Sequence, residues 1–143
     1  MSKDPKVELQ TEYYSLLNGN VDVDGVIPVY DGVPGKDAEY PYIAIGEYTQ
    51  VDDSDKSSFG EDLTVTLVVA DRFINSSVSR RRLFSIVSKV KEIIRARPNP
   101  FDLASFNVIT SVVDNENTFK ELTDTHLYVY EQLRFRHLIE QVA

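Results

Sequence analysis

The stretch NVDVDGVIPVYD, Asn20 to Asp31, carries the densest set of potential ligands in the chain. Oxygen side chains at Asn20, Asp22 and Asp24, a glycine at Gly25, an aliphatic at Ile27 and a carboxylate at Asp31 fall where a calcium-binding EF-hand loop places them. Such a loop needs a helix on its far side and a bidentate glutamate at its last position. Here the continuation VIPVYDGVPG is extended and rich in breakers, the last position holds the shorter Asp31, and Asn20 stands in place of the first aspartate. The spacing therefore reads as a turn from a helix into a strand, with no metal site expected. A second acidic run at Asp52, Asp53 and Asp55 departs further, because Ser58 occupies the glycine position.

Other chemistry lacks its parts. The two histidines, His126 and His137, sit in no recognised ligand spacing, and one is expected to cap an exposed strand while the other packs at a sheet margin. Asp124 lies near His126, but no serine in a strand-to-helix elbow completes a triad. Phosphate-binding and dinucleotide-binding glycine patterns are missing. With no cysteine, thiol catalysis, disulfides and cysteine-based zinc sites are excluded. No catalytic residue and no cofactor is expected.

The 143 residues are sized for one domain, 1–143, with 42% hydrophobic and 27% charged residues in the ordinary globular range. No apolar run is long enough to span a bilayer, and MSKDPKVELQ lacks the apolar core of a signal peptide, so folding in a cytoplasm is the expectation. A net charge of −8 disfavours gripping nucleic acid, which takes Lys and Arg to displace counterions from phosphates.

The elements that would position any site follow from periodicity. Lys6 to Asn18 reads as a helix with Leu9, Tyr13, Leu16 and Leu17 on one side and Gly19 to end it. Val26 to Tyr30, with Pro28, suits an edge strand. Tyr42 to Tyr48 and Asp62 to Asp71 read as a hairpin joined by an unusually long connection, TQVDDSDKSSFGE. Ser79 to Arg97 follows the helical template through Leu83, Ile86, Val87, Val90, Ile93 and Ile94 until Pro98. Asn107 to Val113 is a strand, DNENTFKELTDT a polar connection, and His126 to Gln141 a long strand with a bulge expected near Glu131.

Three features suggest contacts with a partner. Arg80, Arg81 and Arg82 stand in a first helical turn, where the macrodipole favours acids, and plain solvated surface is the favoured competing account, because exposed charges cost little in salt. Phe59 is a lone large apolar residue in the acidic connection with Asp52, Asp53, Asp55 and Lys56, placed either to anchor a partner or to fold back onto the sheet. Arg134 and Arg136 share a strand face with Tyr128 and Tyr130, a composition enriched at protein interfaces. A sheet face covered by a helix of the same chain is the competing account of that face.

VYDGVPGKDAEYPYIAIGE, the acidic hairpin segment, LTVTLVVADRF, the amphipathic SRRRLFSIVSKVKEII and a last strand containing LRFRHLIE, in that order, resemble the tail-terminator or tail-completion proteins of long-tailed bacteriophages, also called head-to-tail joining proteins. The likeness runs from about Val26 to Gln141 and is sharpest at Val33-Pro34 and Tyr40-Pro41-Tyr42-Ile43. It implies an α+β fold: a single domain with a mixed, mostly antiparallel sheet of four to five strands and two main helices on one face. It also implies a virion protein assembled in the host bacterial cytoplasm as a homo-oligomeric ring, commonly a hexamer. Such a ring caps the tail tube protein and meets the head connector or stopper protein while DNA passes through its lumen without specific binding. On this reading Asp52, Asp53, Asp55, Lys56 and Phe59 face the tail tube, and Arg80, Arg81, Arg82, Arg134 and Arg136 face neighbouring subunits. Another neck or baseplate adaptor, or a peptide-binding module using the Val26 to Tyr30 edge, is the alternative.

Overall fold

A computed structural model describes residues 3–55, 58–74 and 80–142. Helix α1 spans Lys6–Leu17 and α2 spans Arg81–Ile94. Strands β1 (Val29–Asp31), β2 (Tyr42–Asp52), β3 (Gly60–Ile74), β4 (Phe106–Leu122) and β5 (His126–Gln141) form one sheet in the order β1-β2-β3-β5-β4. Only the β1–β2 pair is parallel; the other three are antiparallel. The expected α+β architecture is the observed one.

Both helices pack on one face of the sheet. Alternation in β3 sends Leu63, Val65, Leu67 and Val69 inward, and β5 answers with Phe135, Leu133 and Val129 on the same face. Leu83, Ile86, Val87, Val90 and Ile94 of α2 recur at three- and four-residue spacing, and all are buried against this face. Leu9, Tyr13 and Leu17 of α1 complete the core. Each fully buried aliphatic contributes roughly 1.5–3 kcal/mol of transfer free energy, so α2 is held by its packing and not by its ends. Its N-cap has no side-chain hydrogen bond and its first turn no acid.

Among the described residues the opposite face carries no helix. Residues 32–41, which carry the chain from β1 to β2, lay Ala38 and Tyr40 over Tyr42, Ala44 and Ala70. Tyr40 meets Tyr42 and Tyr128 at ring-centroid distances of 5.1 and 5.6 Å, and the Arg72 guanidinium sits 4.9 Å from the Tyr40 centroid. Burial among these rings pushes the Tyr42 hydroxyl up to about 12.

Several expected boundaries move. The connection between β2 and β3 is shorter than expected: Thr49 to Asp52 continue the ladder opposite Thr64 to Glu61. DNENTFKEL is likewise strand, since β4 pairs with β5 as far as Leu122 opposite Leu127, leaving a three-residue turn. In both places the ladder's main-chain hydrogen bonds, supplied by a partner strand, override side-chain polarity. The edge strand expected at Val26 to Tyr30 shrinks to Val29–Asp31, with Val26 making only an isolated bridge to Asp22. Pro28, which lacks an N–H, still accepts a bond from Ile43 N through its carbonyl. The bulge expected near Glu131 does not form; register shifts lie instead between Gly46 and Tyr48 in β2, and at Val108/Thr110 and Val113/Asn115 in β4. Glu131 keeps its inward place because Thr118 Oγ1 donates to it at 2.7 Å.

Candidate assembly interface

At residues 20–31 the chain turns back on itself. Gly25 N donates to Asp22 Oδ1 at 3.1 Å and Val23 N to the Gly25 carbonyl at 3.0 Å. Asp24 takes φ 56° and Gly25 φ 120°, a left-handed pair that tightens the turn before β1. The Asp22 carboxylate thus serves its own backbone. Among the described residues no group of three or more His, Asp or Glu converges to hold a metal ion.

The β2–β3 tip is a built turn. Ser54 donates to Asp52 Oδ1 through its N–H at 3.0 Å and its hydroxyl at 2.5 Å, which holds the Asp52 carboxyl below its usual range. Asp55 Oδ1 accepts from the Ser58 N–H and hydroxyl at 2.9 and 3.0 Å. Asp53 N donates to the Gly60 carbonyl, and a Cβ on Gly60 would lie 3.0 Å from the Asp53 carbonyl, a tight contact that a larger residue could make only if this backbone shifted. The Phe59 carbonyl accepts from Gln141 N at 2.8 Å while its ring stays 46% exposed. Asp52, Asp53, Asp55 and Phe59 therefore share one acidic tip; Lys56 lies outside the described residues, as does Ser79, the expected start of the second helix.

The arginines are engaged within the chain. Arg82 grips the fully buried Asp71 through Nε to Oδ2 at 2.9 Å and Nη2 to Oδ1 at 2.5 Å. Arg134 donates to Asp114 at 2.7 Å, and Arg136 makes a two-pronged contact with Asp62 at 2.8 and 2.5 Å. The Arg136 bond holds the Asp62 carboxyl below its usual range. Arg80 is the N-cap residue of α2, and its carbonyl accepts from Phe84 N; Arg81 opens the helix exposed. Arg134 and Arg136, with Tyr128 and Tyr130, lie on the sheet face that carries no helix, so the competing account in which a helix covers them does not hold.

His137 is the residue whose expected place changes most. It sits in the core, not at a sheet margin, with Nε2 2.5 Å from Tyr13 Oη and Nδ1 2.7 Å from Ser111 Oγ. Phe101 packs edge-on at 4.9 Å. Burial lowers its pKa from 6.5 to about 4, so the ring is neutral at pH 7 and donates through one nitrogen while accepting through the other. His126 stays at the start of β5, 2.8 Å from Thr125 Oγ1 through Nδ1.

No family model matches the chain. Over 73 residues it is 34% identical to tail completion protein gp17 of Bacillus phage SPP1, a match covering 51% of each protein. The matched region is thus about half the length of that relative. A chain in the structure of the virion of a native gene transfer agent particle superposes with a TM-score of 0.76, covering 97% of this chain and 99% of that one at 18% identity. The fold is shared with a virion component. The resemblance to tail-completion proteins, read from the sequence, is met by a relative of that name.

Proposed function

We propose that this chain is a non-enzymatic structural protein of a long-tailed phage-type virion, one that caps the completed tail tube as a ring and makes the joint to the head connector. The observation that carries this reading is the sequence match to a tail completion protein, with a whole-chain fold match to a virion component behind it. A ring requires heterologous contacts that close after a fixed rotation. The acidic tip suits the tail-tube contact: its turn is fixed by side-chain hydrogen bonds, which lowers the entropy lost on docking, and Phe59 offers an aromatic anchor among Asp52, Asp53 and Asp55. Lys56 belongs to the same segment. Arg80, Arg81, Arg82, Arg134 and Arg136 stand as candidates at the subunit boundary, where Arg82, Arg134 and Arg136 would act beside their bonds to Asp71, Asp114 and Asp62. The charge of −8 leaves a lumen that does not bind passing DNA.

Electron microscopy of lysates from a phage with an early stop codon in this gene tests the reading. Filled heads beside detached tails of variable length are expected; normal tails joined to heads would remove it. Replacing Phe59 with Ala is expected to weaken tube capping at least tenfold, about 1.4 kcal/mol, while shifting stability by no more than about 0.5 kcal/mol, as for an exposed side chain. A tube-binding assay beside urea unfolding separates the two effects. Unfolding with no specific binding loss would place Phe59 in the fold and not at the tube.

A further inference from the structure

Glycine follows an asparagine or an aspartate at Asn18-Gly19, Asp24-Gly25 and Asp31-Gly32. In such a pair the glycine nitrogen can attack the side-chain carbonyl carbon before it, because glycine has no Cβ to obstruct the approach. The fold treats the three pairs differently.

Two of the glycine amides are occupied. Gly32 N donates to the Ile45 carbonyl at 2.6 Å, and the Asp31 carboxylate before it accepts from Gln10 Nε2 at 2.9 Å. Gly25 N donates to Asp22 Oδ1 at 3.1 Å inside the turn that leads to β1. At the third pair both reacting groups are free among the described residues. Asn18 is the exposed C-cap residue of α1, and its own N–H bonds the Tyr14 carbonyl, but neither its side-chain amide nor Gly19 N has a hydrogen-bond partner. Nearby Asn20 is committed instead, its side-chain amide donating to the Leu16 carbonyl at 3.0 Å, and the β-branched Val21 follows it. Asn18 stands outside the helical well at φ −65° and ψ 119°. Rotation about ψ brings its side chain to Gly19 N, leaves the bonds inside α1 in place and disturbs only the exposed Asn20 contacts. Gly19, at φ 79°, has open space beside it, since a Cβ there would meet no atom within 4 Å.

We propose that Asn18 is a site of spontaneous deamidation, selected by the fold ahead of the pairs at Asp24 and Asp31. The Gly19 nitrogen bonds to Asn18 Cγ, the Cγ–Nδ2 bond breaks, and Nδ2 leaves as ammonia with the proton that Gly19 N gives up. Water, the co-reactant, then opens the resulting cyclic imide. Attack at Cγ breaks the Cγ–N bond and leaves aspartate; attack at the backbone carbonyl carbon breaks the C–N bond and leaves isoaspartate, with the chain routed through the side chain. No oxidation or reduction is involved. Either product puts a carboxylate at the C-terminus of α1, where the macrodipole is negative and the last turn holds no basic residue, so the modification loosens the end of this helix.

Incubating the full chain in heavy-oxygen water, digesting it in ordinary water and sequencing the peptides by mass spectrometry tests the site. Heavy oxygen is expected at Asn18, with a yield several-fold higher in mildly alkaline than in mildly acidic buffer, because the attacking nitrogen must lose its proton. Asn18→Gln should lose the label, since its longer side chain closes a less favourable ring. In Asp24→Asn/Asp31→Asn all three pairs carry the same leaving group, so the fold alone ranks them. Position 18 is expected several-fold ahead of positions 24 and 31 in the folded variant, with that lead shrinking in urea. Equal labelling of the three positions in the folded variant would overturn the proposal. Should the double variant fail to fold, the parent decides: labelling of Asn18 in the folded chain should approach its rate in urea, and labelling only after unfolding would overturn the proposal. No label at Asn18 in either state would remove the site.

Discussion

Replacing Arg82 with Ala is expected to remove about 3 kcal/mol of folding stability, the low end of the range for breaking a buried ion pair, because Arg82 itself is 39% exposed. The cost comes from what remains. Asp71 is fully buried on β3 and, among the described residues, would keep the bond from Arg72 N at 2.8 Å. A carboxylate left so poorly compensated in the interior keeps its desolvation cost with little to offset it. The pair also links two elements: α2 opens on arginines with no acid in its first turn, and Asp71 brings from β3 the negative charge that this turn lacks. Removing both members should therefore cost far less than removing one. Asp71→Leu/Arg82→Leu is expected within about 1 kcal/mol of the parent, since apolar replacement of a buried pair is often neutral. Urea unfolding of the parent, Arg82→Ala and the double variant measures this. A loss below about 0.5 kcal/mol for Arg82→Ala would show that Asp71 is satisfied without its partner.

Stability is expected to fall between pH 6.5 and about 4 because of His137. In the unfolded chain this imidazole binds a proton near 6.5, whereas in the fold burial holds it to about 4. Across that interval the unfolded state therefore holds more protons, and stability rises with pH. The contribution is complete above 6.5 and is lost as pH falls to about 4, amounting to about 3 kcal/mol at 1.36 kcal/mol per pKa unit. Glu131 works in the other direction: burial raises its pKa, so its folded form prefers the proton and loses stability as pH rises through that value. Asp52 and Asp62, with lowered values, act below the histidine window. Comparison with His137→Gln isolates the histidine. The variant is expected to be less stable at pH 7.5 through its altered contacts with Tyr13 and Ser111, but to lose much less between pH 6.5 and 4.5. Parallel pH profiles in chemical denaturation would assign the acid sensitivity elsewhere.

Helix α2 was legible because five apolar residues recur at a helical period, and β3 and β5 because one of their faces is buried along most of its length. Those patterns exist only where one side meets the core. The second half of β4 meets none, so its polar residues on both faces look like a loop, and only the length of β5 beside it makes it a strand. The same holds for the end of β2, where Thr49 meets Thr64 in a ladder that no local pattern announces. Glu131 in the apolar row of β5 was a visible signal, but its meaning depended on Thr118, thirteen residues away.

Within the candidate interface, Phe59 and its aspartates could be picked out as a lone aromatic in an acidic run, yet the hydrogen bonds that shape the tip appear only once Ser54 and Ser58 are placed. Arginines at 82, 134 and 136 suggested outward contacts, and tertiary structure supplied each with an aspartate from a different element.

By itself the sequence determined the two helices, the inward faces of the central strands, the lack of thiol chemistry and the acidic balance, since each depends on residue type or on spacing within one element. Tertiary structure decided which strands are edges, which charges are cancelled and that His137 is buried between Tyr13 and Ser111, contacts that join residues 124 and 26 positions apart. Such pairings are set by the sheet order and the packing of α1 against it. Local periodicity carries no information about either.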